Sequence, residues 1–214
     1  DQIYTPTCLE ESAKFEAREL RSGVLINDGS GKFEFRPLPR VAQISPGFGA
    51  SLVDVDADGN LDLFITQNFY GPQRETGHMD GGVGMLLLGS GKGSWEPVWP
   101  NTSGLVVPQD GMSLVRTDFN DDGQPDFLIG QNNGTFLAYT KTAPKQTMWA
   151  KRRRVVVQLR GMVGNVNAIG ARVELVGTSN PQVQEVTSTS GYLSQNSQRL
   201  LFTVPESEKS VSFR

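Results

Sequence analysis

One nine-residue acidic pattern occurs twice in this chain, and it restricts the possible folds more than any other feature. The first copy runs Asp54-Val-Asp56-Ala-Asp58-Gly59-Asn60-Leu-Asp62, the second Asp118-Phe-Asn120-Asp-Asp122-Gly123-Gln124-Pro-Asp126. Both read D-x-[DN]-x-D-G-x-x-D. Oxygen-bearing side chains at alternate positions, a glycine at the sixth and a carboxylate at the ninth can wrap one hard cation, and calcium, which accepts six to eight oxygens in flexible geometry, suits such a loop. At an effective dielectric near 20, each pair of carboxylates about 4 Å apart repels by roughly 4 kcal/mol. A divalent ion turns that repulsion into attraction, and the glycine permits the sharp turn. The expected side-chain ligands are Asp54, Asp56, Asp58 and Asp62, and Asp118, Asn120, Asp122 and Asp126; Asn60 and Gln124 stand at the seventh position, where a backbone carbonyl coordinates. Two Ca2+ sites are therefore expected. A metal-free Asp/Gly surface turn is the competing reading.

The flanks decide what the loops connect. An EF-hand starts similarly but closes with a bidentate Glu at position twelve and is bracketed by helices. Here the twelfth residues are Ile65 and Ile129. Leu61-Asp-Leu-Phe-Ile65 and Phe127-Leu-Ile129 are short apolar runs bounded by turn residues, which reads as buried strands. Upstream, Gly23-Val-Leu-Ile-Asn27-Asp-Gly29-Ser-Gly31-Lys-Phe33 and Gly84-Met-Leu-Leu-Leu-Gly89-Ser-Gly91-Lys-Gly93-Ser-Trp95 each give an apolar strand, a glycine hairpin turn and an aromatic that opens the next strand. Gly47-Phe48-Gly49-Ala50 and Gly111-Met-Ser precede the two loops. The repeating unit then reads strand, tight turn, strand, Gly-containing link, strand, cation loop, strand. This predicts an all-β chain with two recognisable four-stranded blades of a partial β-propeller, with a loop inserted at Phe69 to Gly82.

These units resemble the FG-GAP/VCBS repeats of integrin-type and bacterial surface propellers, over roughly Gly23 to Lys141. The resemblance rests on the acidic loops and on Phe48-Gly49-Ala50, and it implies calcium on the propeller rim. After the polar stretch that follows Lys141, Val155-Val-Val-Gln-Leu159, Ala168 to Val176, Gln182 to Val186, Ser190 to Gln195 and Arg199 to Phe202 read as further strands. Asn167-Ala-Ile-Gly170-Ala-Arg172-Val and Ser190-Gly-Tyr192-Leu-Ser194-Gln resemble the ASPIC/UnbV domain that follows such repeats in the cartilage acidic protein family. That domain is expected to be a small β structure without established chemistry. The expected organisation is an N-terminal extension or blade remnant over 1–22, repeat blades over 23–141, a linker over 142–153 and a C-terminally truncated ASPIC/UnbV-like domain over 154–214. Two blades are fewer than the four to eight of a closed propeller, so the chain is expected to be a fragment, with the other blades in the rest of a parent protein.

Composition excludes more than it selects. The net charge of −3 argues against nucleic acid as a general partner. No apolar run is long enough for a membrane span and no signal peptide is visible. The single cysteine, Cys8, cannot pair within the chain and lacks the signature of an activated nucleophile. The single histidine, His78, reads as a solvated loop residue, and no G-x-S-x-G elbow accompanies it. Lys151-Arg-Arg-Arg154 reads as a solvated strand entry, with attraction of acidic glycans or phosphates as the alternative. Asn101 and Asn133 fit the glycosylation sequon. Trp95, Trp99 and Trp149 could stack on sugars, although Trp95 holds the blade-packing position. The resulting functional expectation is a calcium-binding, non-enzymatic binding or adhesion module with a protein or glycan ligand. It would be located outside the cell, on its surface or in the periplasm, where millimolar calcium fills weak sites. The alternative is a non-catalytic accessory segment of a larger secreted carbohydrate-active or other hydrolytic enzyme.

Overall fold

A computed structural model describes residues 3–141, 152–178 and 180–214. Most of the expected linker, together with Trp149 and Lys151, lies outside these residues. Fourteen strands form five sheets, all antiparallel and none closed, among the described residues. No helix there is long and apolar enough to cross a membrane. The segment before Ser22 is exposed and holds one short helix, α1 (Pro6–Glu11), which buries nothing.

The glycine hairpins form where the sequence places them. β1 (Gly23–Asn27) pairs with β2 (Phe33–Pro37), and β5 (Met85–Gly89) pairs with β6 (Trp95–Val98). The turns match: Gly29, Gly31, Gly91 and Gly93 all take the left-handed backbone conformation, and Asp28 N bonds Lys32 O as Ser90 N bonds Ser94 O.

The pairing between hairpins differs from the expected repeat. β1–β2 stands as a separate two-stranded sheet, and the four-stranded sheet is β3 (Gly47–Val53), β4 (Asp62–Gln67), β5 and β6. The unit therefore begins at the Gly47-Phe-Gly strand, so the acidic loop joins its first two strands rather than its last two. The β1–β2 hairpin precedes that sheet and shares no strand pairing with it. The second unit holds three strands, β7 (Gly111–Thr117), β8 (Asp126–Gln131) and β9 (Leu137–Tyr139). One four-stranded and one three-stranded sheet thus replace the two four-stranded blades expected. The physical reason lies in the link after β2. It winds into a 3-10 turn at Arg40–Gln43 and carries the chain onto another layer instead of reversing it in plane.

The two units superimpose in their bonding. Val53 opposes Asp62 as Thr117 opposes Asp126, and Leu63 opposes Leu87 as Phe127 opposes Tyr139. They differ in the connection from second to third strand, residues 68–84 against 132–136, which locates the insertion. Its base is clamped by Asn68, whose amide donates to Gly82 O and whose Oδ1 accepts Gly82 N, at 2.8 and 2.9 Å. The lone histidine, His78, is exposed and lies flat on Tyr70 with ring centroids 4.6 Å apart.

β4 is buried along its whole length because both its faces are covered. Phe64 joins Val53, Leu86, Leu114, Phe127 and Ile129 in the core between the two units. Leu63 and Ile65 point the other way, toward Leu38, Ala42 and Leu87, where Val24 and Trp95 pack. Trp95 is thus a packing residue, as its place in the repeat implies, whereas Trp99 is exposed.

The C-terminal unit pairs β10 (Arg152–Val157) with β13 (Leu200–Pro205), and flanks β11 (Arg172–Val176) with β12 (Gln182–Glu185) and β14 (Ser212–Phe213). β13 is shared between cores. Leu200, Phe202 and Val204 face Val173, Leu175 and Val186, while Leu201 enters the core of the repeat units. Ser190 to Gln195 is a turn rather than the expected strand. Ser190 N bonds Ser194 O, and Gly191 and Leu193 take positive φ, which no strand accommodates.

Gly49 explains the Phe-Gly-Ala signature. A Cβ there would lie 2.6 Å from Leu114 Cβ and 2.8 Å from Thr66 Oγ1, so a side chain would force β3 and β7 apart. We expect Gly49→Val to lower unfolding free energy by about 1–3 kcal/mol through overpacking. Gly47→Ala, whose Cβ would meet Thr66 O at an ordinary 3.5 Å, should be tolerated. Urea unfolding of both variants checks this; equal losses would refute the close-approach explanation.

Candidate metal loops and their cationic lid

Each loop sits in the hairpin between the first two strands of its unit, and the two copies share a backbone path. Ala57 and Asp121 take left-handed φ of 67° and 58°, followed by Gly59 and Gly123 at 89° and 77°. The bonding is also duplicated. Gly59 N donates to Asp54 Oδ2 and Gly123 N to Asp118 Oδ2, at 2.9 and 3.1 Å. Asp58 N donates to Asp56 Oδ1 and Asp122 N to Asn120 Oδ1. Asn60 N donates to Asp58 Oδ1 and Gln124 N to Asp122 Oδ1. Asp54 also accepts the amide of Asp58 at 3.1 Å. These bonds curl each loop around its own side-chain oxygens.

In the first loop, Asp54, Asp56 and Asp58 each present a carboxylate oxygen within 4.8 Å of the others. Asp54 is buried and Asp56 and Asp58 are half-buried. Desolvation, then the neighbouring charges of Asp58 and Asp54, raises the carboxyl of Asp56 above its ordinary range. In the second loop Asp118 is buried, whereas Asn120 and Asp122 are exposed. Asp118 Oδ1 is enclosed with no hydrogen-bond partner. A carboxylate oxygen that accepts one amide keeps a second lone pair, so these donors fit a hard cation. Asn60 and Gln124 follow the turn glycines. Asn60 Nδ2 bonds Asp58 Oδ2 at 2.7 Å, and Gln124 Oε1 faces out of its loop.

The ninth-position carboxylates stand apart from the group of three. Asp62 Oδ2 accepts Val55 N at 2.6 Å and Oδ1 accepts Gly89 N at 2.9 Å. Asp126 repeats this with Phe119 N at 2.8 Å and Lys141 N at 3.0 Å. Each therefore ties the start of its loop to the end of the third strand. Burial raises the Asp62 carboxyl to about 6 against the lowering effect of these two amides, with smaller raising contributions from Asp56 and Asp54.

Sequence reasoning missed the cations that cover the loops. Arg154, expected to be a solvated strand entry, reaches both. Its Nη2 donates to Asp54 O and Val55 O, at 2.7 and 3.1 Å, and its Nε to Gln124 Oε1 at 3.0 Å. Lys141 Nζ bonds Val55 O, and Asn180 Nδ2 bonds Gly59 O at 2.7 Å. On the second loop, Arg199 bonds Asp121 and lies 3.8 Å from Asp118 Oδ2. Burial pulls the ionisation of Lys141 and Arg154 down, and the first-loop carboxylates oppose that shift. Gly59 is required by its left-handed φ, and a Cβ there would also displace the Asn180 amide that bonds its carbonyl. The basic run before β10 was a signal for this contact, but its partner could not be read from one dimension.

Residues 161–214 match the family described as ASPIC and UnbV. The C-terminal segment is thus an ASPIC and UnbV domain, and it supplies Asn180 and Arg199 to the loops of the preceding units. No curated protein matches the chain.

Arg154→Ala should free both loops from β10. Loss of a charge-assisted bond costs about 1.5–3 kcal/mol. Hydrogen exchange at residues 54–60 and 119–124 should accelerate together; acceleration in one loop alone would contradict the bridging role.

Proposed function

We propose that each acidic loop holds one divalent cation, calcium, and that the chain is a rigid binding or adhesion module of the FG-GAP/VCBS type. In this reading the repeat units are part of a β-propeller whose other blades belong to a longer parent protein related to the cartilage acidic protein family. The carrying observation is the convergence of Asp54, Asp56 and Asp58, repeated in backbone path and hydrogen bonding around Asp118, Asn120 and Asp122. Asp54, Asp56 and Asp58 hold the first ion, with the carbonyl of Asn60 as a further donor, while Asp62 braces the loop from behind. Asp118, Asn120 and Asp122, with the carbonyl of Gln124, hold the second, and Asp126 braces that loop in the same way.

The ion offsets carboxylate repulsion and stiffens the rim on which the C-terminal domain rests. The loop between Asn68 and Gly82, projecting from a clamped base, is the surface offered to a protein or glycan partner. An extracellular, cell-surface or periplasmic location follows from the weak calcium affinity expected of such partly open loops. The module performs no catalysis in this reading.

Calcium at a hundredfold excess over Kd should stabilise the chain by about 2.7 kcal/mol per site, and EGTA should reverse the gain. At the ligand positions the first loop carries one more carboxylate than the second, where Asn120 stands, and it lies deeper. Asp58→Ala should therefore remove the larger share of the shift in Tm, and Asp122→Ala the smaller. A thermal transition indifferent to calcium and chelator would reject the proposal.

A further inference from the structure

A second site lies between the repeat units and the ASPIC and UnbV domain, in a cavity of about 390 Å3. Arg116 on β7 lines it and brings a guanidinium to it. Among the described residues nothing bonds or ion-pairs with this group: the backbone of Arg116 is engaged, by Asn196 Oδ1 at 2.7 Å and Ser197 N at 2.9 Å, but the side chain is not. The stretch 142–151 contains no Asp or Glu that could serve as its counter-ion. Two carboxylates line the cavity, and neither bonds the guanidinium. Asp54 is turned into its own loop through the amides of Asp58 and Gly59, and Glu185 is solvent-exposed.

The repeat emphasises the oddity. Arg116 opposes Phe127 as Leu52 opposes Leu63, so the equivalent position of the first unit is leucine. Blade packing accepts an apolar side chain there and does not call for a charge. Arg116 is half-buried, and a cation drawn this far out of water without a counter-charge is disfavoured, so desolvation lowers its ionisation.

The remaining walls supply hydrogen-bond donors and apolar surface. Asn196 uses its oxygen on the backbone of Arg116, which leaves its Nδ2 to donate; Ser197 and Gln198 stand beside it in the same wall. Leu52, Leu61 and Val183 line the cavity while remaining 47, 49 and 44% exposed. A donor-rich base with uncovered apolar walls is complementary to an acceptor carried on an apolar body. A guanidinium matches a carboxylate in planar, two-bond geometry.

We propose that this cavity binds a small organic carboxylate, its carboxylate on Arg116 and its apolar body against Leu52, Leu61 and Val183. This goes beyond the metal loops and does not require them to be filled.

Benzoate is a suitable probe, with benzamide as the neutral analogue and inorganic phosphate as the plain anion. Calorimetric titration of the chain should show benzoate binding at least tenfold tighter than either. Arg116→Gln should weaken benzoate at least tenfold, and Arg116→Lys should weaken it less. Leu52→Glu, at an exposed position of the same wall, should place an internal carboxylate in the cavity and abolish binding while Arg116 is kept; this variant keeps the test valid should Arg116→Gln fail to fold. Absence of benzoate binding, equal binding to Arg116→Gln or to Leu52→Glu, or phosphate or benzamide binding as tightly as benzoate, would overturn the proposal.

Discussion

Two buried aspartates, Asp62 and Asp126, hold the architecture of the repeat units together. Each carboxylate accepts one amide from the first residues of its loop and another from the end of the third strand. Without them the loop amides of Val55 and Phe119 would lose their partners and the third strand would lose its anchor. A buried carboxylate stripped of two amide donors is strongly disfavoured, so loop and sheet order together. The conformation that gathers Asp54, Asp56 and Asp58 therefore belongs to the sheet and does not depend on the loop sequence alone.

From that anchor, rigidity passes outward by contact. The loops present backbone carbonyls at Asp54, Val55 and Gly59, and the C-terminal unit meets them with Arg154 and Asn180, while Lys141 adds a third donor. Leu201 reinforces this from below by entering the core of the repeat units, with its neighbours Leu200 and Phe202 in the other core. The ASPIC and UnbV domain is thus seated on the acidic rim by polar bonds around an apolar contact. The same seating forms the cavity that Arg116 lines, with walls from both units.

Much of the local structure was legible in the chain. The strands around each loop followed from their apolar runs, the hairpins from paired glycines, and the packing role of Trp95 from its place in the repeat. The grouping of hairpins into sheets was not legible, because a strand–turn–strand pattern repeats identically whichever hairpin begins the unit. The link over residues 38–46, folding through a 3-10 turn, settled the matter by directing β3 to β4 rather than to β2. The segment from Ser190 to Gln195 alternates like a strand but turns, because Gly191 and Leu193 lie at positive φ. The shared duty of Arg154 was equally hidden, since its acceptors are backbone carbonyls that carry no side-chain signature.

The amino-acid order alone determined an all-β chain and two oxygen-lined loops in matching strand context, and it suggested a change of unit across the stretch 142–153. Each depends on short-range physics: side-chain periodicity, glycine conformational freedom and the spacing of carboxylates along a turn. Tertiary structure alone decided which hairpins share a sheet, which carboxylates gather and which clamp the backbone, and that Arg154, Arg199 and Arg116 lie where two units meet. Those outcomes depend on packing between residues far apart in sequence, where burial and unmet hydrogen bonds, rather than local preference, select the arrangement.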